Sequence, residues 1–360
     1  MMERESNMTE LIEIVEKART AGASDIHFVS GTQMMFRIDG VLRPMSEENM
    51  EASQIAGFVE TLLDVEAMQE LERVGELEYA YSMTDTVRLR INIYCERGTY
   101  AMALRLLPME IPTPERLGIP DAVVRLTEKK RGLVIVTGTT GSGKTTTLAS
   151  LIDQIAQNEV RTIITLEEPI EYVHKHNKSV VVQREIGHDS MSYKAALRAA
   201  VRQDADVICV GEIRDAETLA MALEAAGTGH LVFLVMHANN VVSAVEQMVE
   251  RFLPHQQQQI RMQLSEVLQG VVAQQLLPKQ DVSGRVAAFE VLLSEPNVSN
   301  LIKENKLHQM QTLIQAKGKQ GMQTMDDAIY NLYLMSAISS DTAIRYAQDP
   351  TGMKEKVKLF

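Results

Sequence analysis

The sequence has 360 residues, 45% of them hydrophobic and 23% charged, which is enough for two domains and a large buried core. A formal net charge of −12 argues against broad adhesion to nucleic acid, which needs a clustered basic surface. Two cysteines, Cys95 and Cys209, exclude a disulfide framework and a four-cysteine zinc site within one chain.

The N-terminal stretch MMERESNMTELIEIVEKART has no signal-peptide core, and no apolar run reaches the ~18 residues of a membrane span. The expectation is a soluble, cytoplasmic protein with reduced cysteines, whose membrane role comes through a partner. The 21 methionines read as adaptable packing.

Residues 9–22 show helical periodicity, with Leu11, Ile12, Ile14, Val15 and Ala18 on one stripe. SDIHFVS and QMMFRIDGVLRPM then read as short strands, with Asp39-Gly40 as a hairpin turn. A helix is predicted over 51–73, and TVRLRINIYCERGTYAMALRLL reads as two alternating strands around ERGT. Residues 1–107 therefore form an expected small α+β domain.

PMEIPTPERLGIP (108–120) carries four prolines and reads as an interdomain linker. Over 121–360 the pattern changes. GLVIVTG, RTIITLEE, ADVICVGE, HLVFLVMH and VAAFEVLL are continuous apolar runs, as in a parallel α/β sheet covered on both faces. From about residue 297 the chain reads as helical and more polar.

GTTGSGKTT spans Gly138, Thr139, Thr140, Gly141, Ser142, Gly143, Lys144, Thr145 and Thr146, a full P-loop pattern between a strand and a helix. Glycines let backbone N–H groups turn toward an anion, and the helix N-terminus adds a favourable dipole. Lys144 is the residue for the β- and γ-phosphates of ATP, and the Thr145 hydroxyl for Mg²⁺. ADVICVGEIRD ends an apolar strand near Glu212, where a carboxylate would hold Mg²⁺ directly or through water. A helix-capping surface acid is the competing reading.

TLEEPIEYVH supplies Glu167, Glu168 and Glu171 after another strand. Hydrolysis needs a group to orient the attacking water, and Glu171 is the favoured candidate, against a solvated acidic loop. His230 and His237 bracket a strand and point to opposite faces, which argues against a shared metal site. His237 could instead contact the γ-phosphate. His174 and His176 read as ordinary surface histidines.

In order and spacing these segments resemble the secretion ATPase superfamily of type II secretion and type IV pilus systems. GTTGSGKTTTL resembles its Walker A, TLEEPIEYVHKH its acidic box, DADVICVGEIRDAETLAMALEAAGTGHLV its Walker B region, and TGHLVFLVMHANN its histidine box. ASDIHF and FRIDGVLR resemble the start of its N-terminal domain, so the resemblance covers nearly the whole chain. It implies an α/β chain with a PAS-like α+β domain, a RecA-like P-loop ATPase domain and a homo-hexamer.

Within the superfamily the chain is similar to the pilus retraction (PilT-like) group. With two cysteines it does not match the four-cysteine element of assembly and export members, their extra N-terminal domain is not expected here, and GMQTMDDAIYNLYLMSAIS fits the group. The resemblance implies Glu171 as catalytic glutamate, Glu212 as Walker-B glutamate, and His230 and His237 as the histidine-box residues. It also implies Arg90 and Arg105 as arginines reaching nucleotide from the N-terminal domain, with an inner-membrane platform protein and a paralogous retraction ATPase as partners. Two departures stand out: NVSNLIKENK puts Ser299 where the group has the arginine of AIRNLI, and MHANN replaces LHTN or LHTT.

The expected function is a Mg²⁺-dependent motor ATPase for pilus retraction, working at the inner face of the cell membrane. Its rivals are a pilus assembly or DNA-uptake ATPase, a non-motor ATP-binding paralogue and, against the acidic balance, a nucleic-acid translocase.

Overall fold

In the N-terminal helix α1 (Met2–Thr20), Leu11, Val15 and Ala18 recur every three or four residues and are fully shielded from water. The structure is a computed structural model and describes residues 2–38, 40–84, 87–213, 215–280 and 284–358. Asp39 of the expected Asp39-Gly40 turn lies outside the described residues. The chain divides into two units, Met1–Glu110 with Pro169–Val173, and Ile111–Glu168 with His174–Phe360.

The first unit is built on β1 (Ala23–Phe28), β2 (Gln33–Ile38), β3 (Val41–Asn49), β4 (Glu76–Thr84), β5 (Val87–Glu96) and β6 (Thr99–Leu107). They form an antiparallel sheet in the order β3-β2-β1-β6-β5-β4. Arg97 and Gly98, both at positive φ, make the turn between β5 and β6.

The helix expected over 51–73 is two helices, α2 (Ala52–Leu62) and α3 (Val65–Val74). Leu63 is extended, and the Asp64 carboxylate accepts from the Ala67 amide to start the second helix, so local capping overrides the continuous apolar pattern. Phe58 of α2 meets Phe28 of β1 edge-on at 5.6 Å between ring centroids, inside a core that includes Leu89, Ile91 and Ile93 of β5. Strand β4 was not singled out in sequence, because its alternating ELEYAYSMT is half polar.

The second unit begins at Ile111, within the segment expected as a linker. There Thr113 caps a short helix α4 (Pro114–Leu117), followed by α5 (Asp121–Val124). Its strands are β7 (Gly132–Thr137), β8 (Thr162–Glu167), β9 (Val180–Glu185), β10 (Val207–Glu212), β11 (Leu231–Met236), β12 (Leu268–Pro278) and β13 (Arg285–Leu293).

The sheet order is β13-β12-β7-β11-β10-β8-β9, parallel except for the antiparallel β12–β13 pair. Every residue of β7 is buried, which accounts for its unbroken apolar sequence. The crossovers include α6 (Lys144–Asn158), α7 (Tyr193–Ala200), α8 (Ala216–Gly227), α9 (Val241–Glu250) and α10 (Pro254–Val267). After the sheet come α11 (Pro296–Lys303), α12 (Met310–Ala316), α13 (Met325–Leu334), α14 (Ser340–Tyr346) and α15 (Pro350–Lys358). Among the described residues no helix is long and apolar enough to cross a membrane.

Glu290 of β13 is fully shielded, and its Oε2 accepts from the Val241 amide at the start of α9 at 3.0 Å. Burial pushes its carboxyl up to about 7 from an ordinary 4.5, with the Val241 hydrogen bond pulling the other way. The folded state therefore holds a proton that the unfolded chain releases, and stability falls as pH rises from about 4.5 through about 7. Glu290→Gln, neutral and of the same shape, is expected to remove that slope and to gain about 2.5 kcal/mol over wild type between pH 5 and pH 8. His174, held down to about 4 by burial, has the opposite slope between about 4 and 6.5. Because both proteins share His174, the difference between their urea-unfolding curves at the two pH values isolates Glu290.

Candidate active site

The ends of three adjacent strands hold the residues singled out in sequence. Met236 of β11 pairs in register with Thr137 of β7, and Glu212 of β10 with Val235 of β11, so Gly138, His237 and Glu212 all stand at the carboxyl edge of the parallel sheet. The Thr137 hydroxyl accepts from the Ala238 amide at 2.8 Å and lies within hydrogen-bonding distance of the carbonyls of Met236 and Ala238. It thereby fixes the histidine loop against the strand that leads into the glycine loop.

The glycine loop is confined from behind by β12. Gly138 has φ +152°, and a Cβ there would lie 2.5 Å from the Gln274 carbonyl oxygen and 2.5 Å from Ser142 Oγ. No other residue fits this position without displacing backbone. The Gln274 side chain is buried and its Oε1 accepts from the Thr147 hydroxyl at 2.7 Å, pinning the first turn of α6.

Gln274 was missed in sequence, as was its strand. The signal was a Gln-Gln pair interrupting the apolar GVVAQQLL. In the loop Ser142 is buried, its hydroxyl without a hydrogen-bond partner among the described residues, whereas Thr139, Thr140, Gly141 and Thr145 are exposed. Thr146 is half-buried.

Lys144 is 7% exposed, and its ammonium donates to the carbonyls of Gly138 at 2.8 Å and Thr139 at 2.9 Å. Its third contact is His237 Nδ1 at 3.5 Å, so the three N–H bonds are matched by three acceptors. This makes Nδ1 the accepting nitrogen and leaves Nε2–H to donate to Glu212 Oε2 at 3.0 Å. Burial lowers the proton affinity of Lys144, and the nearby Glu212 carboxylate partly restores it. Lys144, His237 and Glu212 thus form one linked chain across three strands.

Glu212 is backed by Gly211, where a Cβ would lie 2.6 Å from the Tyr193 hydroxyl and 3.1 Å from the Leu166 carbonyl. Burial pushes the Tyr193 phenol well above its ordinary range, and the carboxylates of Glu168 and Glu167 add to the shift. Cys209 on the same strand is buried, and its thiol is pushed up by that burial, so it packs rather than reacts.

The three acids of the TLEEPIE segment separate. Glu167 Oε1 accepts from the Thr165 hydroxyl at 2.6 Å and the Gln183 amide at 3.0 Å, which ties it to β8 and β9. Glu168 ends the second unit's portion of the segment, and Glu171 belongs to the first unit. There Arg90 Nη1 approaches Glu171 Oε1 at 3.5 Å, while Arg90 Nε pairs with Glu78 of the adjacent strand. Arg105, directly across from Arg90, is held by Asp25 at 2.8 Å. Two like charges set opposite on a sheet repel, and each arginine is matched by its own carboxylate.

Two expectations need correction. His230 is not brought to the glycine loop. Its carbonyl accepts from the Gly132 amide at the start of β7, so the six residues of β11 separate it from His237. His174 is not an ordinary surface histidine, since its ring is largely withdrawn from water and its Nδ1 has no partner among the described residues. His176 is exposed, and its Nδ1 accepts from the Val181 amide at 3.2 Å. Ser299 has a structural task of its own, because its hydroxyl donates at 2.9 Å to the Ser265 carbonyl in the last turn of α10 and joins that helix to α11.

A phosphate cradle at the end of a buried parallel strand, with an acid and a histidine facing it from the next two, defines a P-loop nucleotide-binding protein. The chain belongs to the Type II/IV secretion system protein family, whose model matches residues 3–339. It is 36% identical over 341 residues to the type IV pilus retraction ATPase PilT of Pseudomonas aeruginosa, covering 95% of this chain and 99% of the relative. It is also 36% identical over 338 residues to the type IV pilus ATPase PilU of the same organism, covering 94% and 88%. The crystal structure of the pilus retraction motor PilT with bound ADP superimposes with a TM-score of 0.89 at 43% identity, covering 95% of this chain and 98% of that one.

Proposed function

We propose that this protein is a Mg²⁺-dependent motor ATPase that powers retraction of a type IV pilus, acting as a homo-hexamer on an inner-membrane platform protein. The observation that carries this reading is the linked set Lys144, His237 and Glu212 at one sheet edge, in a chain that matches a retraction motor over nearly its whole length.

The antiparallel order β3-β2-β1-β6-β5-β4 supports a PAS-like reading of the first unit. The parallel run β12-β7-β11-β10-β8, with the glycine loop after β7, supports a RecA-like reading of the second. A location at the cytoplasmic face of the inner membrane, reached through partners, is part of the same proposal.

In this reading the ATP phosphates replace the carbonyls of Gly138 and Thr139 as acceptors for Lys144, which needs no new charge in the site, only a turn of an existing ammonium. Ser142 offers a buried hydroxyl to the same phosphates. The Thr145 hydroxyl and the Glu212 carboxylate are hard oxygen donors of the kind Mg²⁺ prefers, and they would hold that ion as a counter-charge to the β- and γ-phosphates. His237 keeps Glu212 oriented and touches Lys144, so it is placed to register a change at either. Glu171 orients the attacking water and takes its proton. Arg90 and Arg105 are proposed to exchange their carboxylate partners for phosphate oxygen, a switch available to half-exposed ion pairs.

Deleting the gene in its own bacterium tests the direction of the motor. Excess surface pili with twitching lost is the expected result, and absence of pili would point to an assembly motor instead. Pili and twitching both normal, with no phosphate release from the purified protein, would favour an ATP-binding subunit that does no work of its own.

A further inference from the structure

Strand β5 sends alternate residues to opposite faces of the first unit's sheet. Leu89, Ile91 and Ile93 enter the core, and Arg88 and Arg90 point the other way. Arg88 is the unusual one, a guanidinium only 9% exposed on a sheet face. A charge is stable there only when its donors are matched.

Arg88 Nη1 donates to the Ser82 hydroxyl at 2.7 Å, and the two residues stand directly opposite in the β4–β5 register. Arg88 Nε donates to the Ile170 carbonyl at 2.9 Å. Ile170 immediately precedes Glu171, and Pro169–Val173 belongs to the first unit although the chain on either side of it belongs to the second.

The geometry points to Arg88 as a positioning residue for ATP hydrolysis: by fastening the peptide carbonyl before Glu171 to the first unit's sheet, it sets where the Glu171 carboxylate stands. The inference rests on the reading that Glu171 acts on the attacking water. Arg90 is a poor substitute for this anchor. Its contact with Glu171 is 3.5 Å long, half-exposed and shared with Glu78, whereas Arg88 grips backbone and is itself oriented by Ser82. Arg88 thus controls turnover through a loop of its own unit.

Steady-state and single-turnover hydrolysis by full-length Arg88→Met and Arg88→Lys, each alone and combined with Glu171→Gln, tests this. Arg88→Met is expected to lower kcat about 100-fold, the scale of a misplaced catalytic group, with KM for ATP changed by no more than about twofold. Arg88→Lys, which keeps one charged donor, recovers part of the loss. In the Glu171→Gln background Arg88→Met costs nothing further, because the group it positions is already disabled.

Equal losses in both backgrounds, or an unchanged kcat in Arg88→Met beside an inactive Glu171→Gln, overturn the positioning role alone. Normal turnover in Glu171→Gln overturns the catalytic reading beneath it. Should Arg88→Met fail to show a cooperative melt, Ser82→Ala, which removes only the orienting acceptor, is expected to lower kcat in the same non-additive way. An unchanged kcat in that variant overturns the proposal.

Discussion

Lys144→Ala is expected to abolish ATP turnover, with kcat/KM lower by about 1,000-fold, the size of effect seen when a preorganised charge facing a transition state is removed. The ammonium is buried and makes three hydrogen bonds, two of them to glycine-loop carbonyls, so it is already held where phosphate oxygens would take over. Charge-assisted bonds of this kind contribute about 1.5–3 kcal/mol each, so nucleotide affinity should weaken by at least ~10-fold as well. Lys144→Arg is not a rescue, because a planar fork cannot place a point charge in a pocket shaped for an ammonium.

The substitution also uncovers the Gly138 and Thr139 carbonyls and removes a donor to His237 Nδ1, and some loss of stability will accompany it. Phosphate release at saturating ATP, ADP titration by calorimetry and a melting curve separate these effects. A folded variant with near-normal turnover would remove Lys144 from the chemistry and leave the P-loop a structural turn.

Much of this site was legible in the sequence because its parts are local. A glycine loop after an apolar strand, an acid at a strand end and a histidine at the end of the next strand each announce themselves within a dozen or so residues. The sheet order then joins them, since β7, β11 and β10 are adjacent. What stayed hidden depends on contacts across long stretches of sequence. Gln274 supports the loop from 127 residues beyond its partner Thr147, and Arg88 holds Ile170 from 82 residues away.

Neither residue's partner can be read from its own stretch of sequence. A glutamine in a strand reads as a defect in the pattern, and an arginine on a polar sheet face reads as solvated charge. The misplacement of His230 has a simple cause as well. Two histidines flanking one strand look equivalent along the chain, yet a strand has two ends, and only the carboxyl end of a parallel sheet carries the ligand. The missed β4 and β9 are edge strands, where burial no longer forces a continuous apolar run, and β12 is an interior strand whose apolar run is broken by two glutamines, one of them buried and bonded to Thr147.

Glu171→Gln is expected to lower the rate of hydrolysis by about 100- to 10,000-fold, the range spanned by loss of a positioned general base, while ATP affinity stays within about threefold of wild type. The substitution keeps the side chain's shape and removes its charge and basicity. Arg90 loses one carboxylate and keeps Glu78, so no buried charge is orphaned, and a half-exposed pair of this kind contributes at most ~1 kcal/mol to folding. A near-normal melting temperature with binding intact and turnover lost would therefore mark a catalytic rather than a structural defect, the reverse of the pattern expected for Lys144→Ala, where binding suffers too.

The competing acid is Glu167, one residue inside the other unit's end of the same segment, and Glu167→Gln supplies the control. Its carboxylate accepts from Thr165 and Gln183, and a carboxylate committed to two donors on adjacent strands is a poor base, because each bond stabilises the charged form it would have to give up. Glu167→Gln should therefore cost stability more than rate. If instead Glu167→Gln stops hydrolysis and Glu171→Gln leaves it intact, the base lies on the strand rather than on the loop, and the first unit's hold on residues 169–173 would have no bearing on proton transfer.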